Sequence, residues 1–210
     1  MTVLYVRSDA MREEERVGMT DRRAQIAEAG IAILASRGVR ALTHLAIDRE
    51  LGLPDGSTSY YARTRRDLIA VIVDQLATRT GSDLTSQALP EALTPAVVAS
   101  VIVAGLDATM RRADEHRARL ILLLECRSDP ELQASLATRP EVRGAFVDAI
   151  AALLVGLDVD RPQENAQDAA ALLDGLLMQR VIRASPAHEE AILTAYLTGL
   201  TDGRGEPLGG

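Results

Sequence analysis

Ser57, Thr58, Ser59, Tyr60 and Tyr61 set five hydroxyls in a row, and Arg63, Arg65 and Arg66 follow directly. Hydroxyls donate to phosphate oxygens and base edges, and guanidinium groups neutralise the phosphate backbone, so this grouping suits contact with double-stranded DNA. Upstream, Thr43 is a good N-cap for a short helix in which Ile47 and Leu51 recur four apart. Gly52 stands where that helix must stop with a positive φ. Leu53 is placed to plug the angle to a second helix, opened by Pro54 and Asp55 and filled by the hydroxyl residues. Helix, glycine turn and helix in this order predict a helix-turn-helix; the alternative is an ordinary helical hairpin with a hydroxyl-rich surface. The cap, the spacing, the two tyrosines and the arginine cluster together favour DNA. Candidate DNA contacts are therefore Thr43, His44, Ser57, Thr58, Ser59, Tyr60, Tyr61, Arg63 and Arg65. His44, beside the cap, either touches phosphate or is solvated.

Charge points the same way. Eight arginines against five acids give residues 21–66 a net +3, whereas the whole chain carries −7, which leaves −10 for the rest. A basic reading head on an acidic body repels DNA everywhere except at the head.

Over roughly Asp21 to Leu76 the chain resembles the TetR family of one-component transcriptional repressors. The family pattern is a threonine, a short helix, glycine, an aliphatic residue, a gap of five to six residues, then aromatics and a basic residue. The resemblance implies that Thr43 is the phosphate-binding cap of the second helix, Tyr61 the phosphate-binding aromatic that ends the third, and Arg65 the basic residue that opens the fourth. Two positions depart from the pattern. Asp48 stands where a small alanine is usual, and Ala62 replaces a phenylalanine that plugs the small core. Loss of a buried aromatic costs about 3 to 5 kcal/mol unless Tyr60 or Tyr61 compensates. Ser59 also replaces a common tyrosine, and GSTSYY followed by RTR resembles a subgroup of the family.

The elements that must hold these residues are helical. Aromatics are only 2% of the chain while 47% is hydrophobic, so the core is built of Leu, Ile, Val and Ala, and no long run alternates with period two. The fold class expected is all-α: a three-helix DNA-binding head over residues 21–66, joined to a larger helical ligand-binding and dimerisation body over 67–202. Residues 1–20 form a charged flexible arm, with Met11 or Met19 as alternative starts, and 203–210 a disordered tail. Asp21 or Thr20 caps the first helix, which carries Ile26, Gly30, Ile33 and Leu34 and ends at Gly38. Thr64 caps the fourth with Asp67 three residues on, a capping box, and Leu68, Ile72 and Leu76 line it. This helix is the lever between head and body. Five body helices are expected near Thr94–Arg112, Asp114–Arg127, Pro130–Leu157 with a kink or break at Pro140, Pro162–Ala184 and Pro186–Thr201.

Enzymatic chemistry finds no foothold. Lysine is absent, all 23 basic residues being arginine, which removes the Walker phosphate loop and Schiff-base mechanisms. None of His44, His116 and His188 has a glutamate three residues before it, so a di-iron bundle is excluded, and no Gly-x-Ser-x-Gly elbow exists. No metal site and no cofactor is expected. Cys126 is the single cysteine; it excludes an internal disulfide and fits a reducing cytoplasm, and a buried inert thiol is favoured over a redox sensor. Its neighbours Glu125 and Arg127 are a solvated pair or polar anchors of a cavity. The longest apolar run, Ala96 to Leu106, is about half a bilayer span and closes at Asp107, so no membrane partner is expected.

The resemblance further implies that the last two helices of each subunit form a four-helix dimer interface and that the body senses a small molecule. Leu173, Leu177, Val181, Leu193, Tyr196, Leu197 and Leu200 are the candidate interface, although such stripes also suit an internal core. Leu76, Ile102, Leu106, Met110, Leu124, Phe146 and Leu173 are the candidate ligand-binding residues, on inward stripes of several helices; Met110 and Met178 serve equally as core filler or pocket lining. The function expected is a homodimeric repressor that binds a palindromic operator and is released by an unknown small hydrophobic inducer. The rivals are an enzyme, for which no constellation can be named, and an interaction module that has lost DNA binding, which Asp48 and Ala62 would favour.

Overall fold

Start and stop signals written locally in the chain set most helix ends. The computed structural model describes residues 21–79, 92–137, 140–183 and 188–202, and every regular element among them is helical, with no strand. The expected arm 1–20, the tail 203–210 and the expected start of the last helix at Pro186 lie outside the described residues.

Helix α1 spans 21–37, buries Ile26, Ile33 and Leu34 completely, and ends at Gly38, whose φ of 77° no β-carbon would favour. After a 3-10 turn at Val39–Ala41, Thr43 caps α2 (His44–Glu50), its Oγ1 accepting from Ala46 N at 3.1 Å. Gly52, φ 63°, closes α2 with paired bonds from its own N to Arg49 O and from Leu53 N to Asp48 O at 2.7 Å, the Schellman ending expected of such a glycine. Helix α3 is Ser57–Tyr61, only five residues. It starts at Ser57 rather than at Pro54–Asp55, because Gly56 at φ 91° cannot be helical and leaves 54–56 as a turn. Leu53 is half-buried, not a plug. The capping box opens α4 (Arg65–Arg79) as expected: Thr64 N donates to Asp67 Oδ2 at 3.0 Å and Asp67 N to Thr64 Oγ1 at 3.1 Å.

Two further start signals hold downstream. Thr94 accepts from Val97 N ahead of α5 (Pro95–Met110), and Asp129 from Leu132 N ahead of α7 (Pro130–Leu136). Between them lies α6 (Ala113–Glu125), with Asp114 and Glu115 in its first turn. The expected interruption at Pro140 is a full break, Ala137 turning extended before α8 (Pro140–Gly156) begins. Helices α9 (Pro162–Arg183) and α10 (Glu189–Asp202) follow. No helix among the described residues is long and apolar enough to cross a membrane.

Contacts divide the chain into two compact units. One comprises the chain up to Arg79 together with Asp114–Ala137; the other comprises Thr80–Ala113 with Thr138–Gly210. The segment 21–66 expected as the head lies wholly in the first unit, which adds α4, α6 and α7. Burial explains the addition: Ile26, Leu34, Leu42, Ile47, Leu68, Ile72 and Leu76 share one cluster with Leu122, Leu132 and Leu136. Each such side chain contributes about 1.5–3 kcal/mol when covered. In the second unit α8 pairs chiefly with α9 and α10 with α5, around Val98, Ile150, Leu154, Ala170, Leu193 and Leu197.

Candidate nucleic-acid interface

Helix α3 has too few residues to be stable alone, and its N-terminal N–H groups need acceptors. Gly56 at its N-cap has no side chain to offer. The acceptor comes from α2. Asp48, fully buried, takes Gly56 N and Thr58 N at 2.8 Å each and Thr58 Oγ1 at 2.6 Å. Burial would push this carboxyl up, but the Thr58 hydroxyl and the Thr58 and Gly56 amides, with the nearby His44, outweigh it and hold Asp48 below its usual range. At the other end of α3, His44 Nε2 donates to Ala62 O at 2.7 Å. A carbonyl only accepts, so Nε2 carries the proton.

Several expected DNA contacts are thereby reassigned. Thr58 is buried and bonded to Asp48, so its hydroxyl is unavailable to DNA. His44, partly exposed, spends Nε2 on the Ala62 carbonyl and so ties α2 to the end of α3. Ala62 is buried without leaving the small core open, and Tyr61, not Tyr60, packs partly against that core. Arg65 sends Nη1 to Leu42 O at 2.6 Å and Nη2 to Val39 O at 3.0 Å, with Glu125 of α6 at 3.5 Å. Arg66 donates to Asp129 at 2.7 Å and Glu131 at 2.6 Å, which hold it firmly charged and pull Asp129 below its usual range. Both arginines hold the first unit together.

What remains outward is a narrower set. Thr43, Ser59, Tyr60 and Arg63 are exposed, Tyr60 at 75%, and Tyr60 meets Tyr61 edge-on with centroids 5.1 Å apart. Ser57 is half-buried, its hydroxyl donating to Pro54 O at 2.6 Å. Leu45 adds an apolar side chain, 39% exposed, on the outer side of α2. Arg23, Arg40 and Arg49 are exposed as well, and like Arg63 they meet no partner among the described residues, whereas Arg37 pairs with Glu50. These exposed residues offer hydroxyls, one large aromatic and unneutralised guanidinium groups, the donors that phosphate and base edges require.

Sequence reasoning missed Asp48 and the true partners of Arg65. The available signal was the glycine at the cap of α3, which leaves donors that some buried acceptor must serve.

The candidate ligand-binding residues are divided between the two units. Leu76 is buried in the core of the first unit, and Leu124, also in the first unit, is 77% exposed on α6. Ile102, Leu106, Phe146 and Leu173 do belong to that core, and Met110 is half-exposed at the end of α5. An apolar gap lies there among Val98, Ile102, Ile150, Leu154, Leu173 and Leu193, but at about 10 Å³ it has room for about one water.

The candidate dimer residues point inward. Leu173, Val181, Leu193 and Leu197 are buried, and Leu177, Tyr196 and Leu200 pack half-buried on the same core. The neighbouring stripe is the exposed one: Ala171, Gly175, Met178 and Ile182 on α9, and Ile192, Ala195 and Gly199 on α10, with Ile182 68% exposed. Across α5, α9 and α10, buried Arg180 binds Glu189 through Nε at 2.8 Å and Asp107 through Nη1 at 2.6 Å. Cys126 is buried, and burial pushes its thiol up, as an inert thiol requires.

A family model described as the tetracyclin repressor-like C-terminal domain matches residues 93–203. No curated protein matches the chain. Among solved structures, a transcriptional regulator from Rhodococcus sp. Rha1 shares 16% identity, with a TM-score of 0.62 over 86% of this chain and 96% of that one. A TetR family member from Streptomyces coelicolor A3 shares 24%, TM-score 0.55, over 85% and 97%. The multidrug binding protein EbrR complexed with malachite green shares 24%, TM-score 0.54, over 85% and 97%. These likenesses concern the fold.

Proposed function

Because the chain belongs to the TetR family of transcriptional regulators, we propose that it is a cytoplasmic homodimeric repressor. It binds a palindromic operator and leaves it when a small hydrophobic molecule enters the second unit. The observation that carries DNA reading is the outward face of α2 and α3, where Thr43, Ser59, Tyr60 and Arg63 stand exposed on a chain whose net charge is −7. An acidic protein approaches DNA only through such a patch. Asp48, which together with Ala62 favoured a module without DNA binding, supports α3.

Dimerisation is assigned to the exposed stripe on α9 and α10. Gly175 and Gly199 have open space where a β-carbon would stand, and an exposed mid-helix glycine costs about 0.5–1 kcal/mol relative to alanine. A second helix packing closely there would offset that cost. A two-fold dimer presents two copies of α3, about 35 Å or a multiple apart, to an inverted repeat. Footprinting on duplexes enriched from a random-sequence pool is the test. Protection of an inverted repeat is the expected result; no enrichment, or protection of a single half-site, would sink the proposal.

Entry at the apolar gap among Val98, Ile102 and Leu193, about 10 Å³, requires the helices that line it to part. The fold's other members include EbrR, solved with malachite green, so an apolar or amphipathic molecule is the class proposed. A hundredfold loss of operator affinity needs about 2.7 kcal/mol of coupling, and the operator must weaken the ligand equally. Calorimetry of a bound compound with and without operator measures this; equal affinities would show that the compound is no inducer.

A further inference from the structure

We infer that His44 and Asp48 are the positioning residues of DNA reading, a two-point clamp by which α2 fixes the pitch of α3. The inference rests on the proposed DNA-binding function and goes beyond it. The two side chains stand four residues apart, hence on one face of α2. Asp48 accepts from Gly56 N, Thr58 N and Thr58 Oγ1 at the start of α3, and His44 donates to Ala62 O at its end. Between those points α3 has five residues. Its own N-cap supplies no side-chain bond; Ser57 N and Ser59 N meet the Pro54 and Gly56 carbonyls at 3.1 Å each, and Asp48 takes Gly56 N and Thr58 N. A carboxylate there is also favoured by the partial positive charge of the helix start.

Neither residue reads DNA. Asp48 is fully buried and negatively charged, and His44 Nε2 is occupied by the Ala62 carbonyl. What they set is which base steps Ser59 and Tyr60 reach. A helix of little more than one turn, released at either end, would tilt, and base contacts fail with misplacement well before phosphate contacts do. Sequence discrimination therefore depends on the clamp, while the number of phosphates neutralised does not.

The test uses the full chain and two duplexes: one enriched from a random pool by the unaltered protein, and a scrambled version of it. Both are titrated over a range of salt. Asp48→Ala is expected to lower the ratio of the two affinities by about tenfold or more, the scale on which one misread base pair is discriminated, with the salt slope unchanged. Thr58→Val, which keeps the Thr58 N bond to Asp48, should lower the ratio less. His44→Ala should lower it, and His44→Gln, whose amide can still donate to Ala62 O, should restore it. These two variants leave Asp48 in place and keep the test sound if Asp48→Ala fails to fold. Equal loss on both duplexes would make these residues mere stabilisers, and a smaller salt slope would make them phosphate contacts. Failure of His44→Gln to recover would remove the hydrogen bond as the cause. Any of the three overturns the inference alone, whereas a pool from which the unaltered protein enriches nothing overturns the DNA-binding reading and the clamp together.

Discussion

A guanidinium has five N–H donors in a rigid fork, and where they are directed decides whether the residue serves the fold or a ligand. Arg65 directs its fork to the Leu42 and Val39 carbonyls, which precede the cap Thr43. The Arg63 guanidinium stands exposed and meets no partner among the described residues. Arg63→Ala should therefore reduce the salt slope of DNA binding by about one unit. Arg65→Ala should leave that slope unchanged and lower stability by about 1 kcal/mol, the side chain being partly exposed and its bonds partly screened. Titrations at several salt concentrations, with thermal melts of both variants, check the pair. Neither carbonyl partner of Arg65 was legible in the sequence, since they lie 23 and 26 residues away, beyond any local spacing rule. Asp48 was missed similarly, its donors being eight and ten residues off. Its folded-state pKa is depressed, so its stabilisation is complete above the ordinary carboxylate range and disappears as pH falls through the lowered value. Acid melts should show the unaltered chain losing stability below about pH 4, with the loss reduced in Asp48→Asn. Parallel acid profiles would contradict this.

At the scale of elements, what the sequence disclosed was what is local. Thr43, Thr94 and Asp129 cap as spaced, and Thr64 with Asp67 forms its box, because each bond spans three residues. The inward face of α9 was not legible. Leu173, Leu177 and Val181 form one apolar stripe, and Ala171, Gly175, Met178 and Ile182 another beside it. Helical periodicity cannot choose between adjacent apolar stripes without the neighbour that covers one of them. Close approach was legible only as a glycine. A β-carbon on Gly30 of α1 would lie 2.4 Å from Ile72 Cδ1 and 2.8 Å from its Cγ1 on α4. Gly30→Ala should destabilise by about 1–3 kcal/mol, as overpacking does, and Ile72→Val in the same chain should recover part of it. Denaturant midpoints of the two variants measure both effects; an unchanged midpoint for Gly30→Ala would show that α1 and α4 adjust freely.

For the whole molecule, burial separates residues that hold a subunit from those proposed to join two. Ile182 is 68% exposed and Leu197 only 2%. Ile182→Arg is expected to leave the thermal melt of the subunit near its original value and shift sedimentation from dimer towards monomer, because a charge replaces apolar surface that the partner would bury. Leu197→Arg should unfold the second unit, since the charge has no partner inside the core. A native monomer, or a dimer indifferent to Ile182→Arg, would move the interface elsewhere.

The first unit is assembled from two separate stretches, the chain up to Arg79 and Asp114–Ala137, and that order matters while the protein is being made. When α4 leaves the ribosome, Leu68, Ile72 and Leu76 have no Leu122, Leu132 or Leu136 to meet. Roughly sixty more residues must be synthesised first, which at about 5–20 residues per second takes about 3 to 12 s. During that interval the nascent reading helices have an incomplete floor and depend on whatever shields apolar surface on growing chains. A gene fragment that stopped after α4 would make this temporary condition permanent.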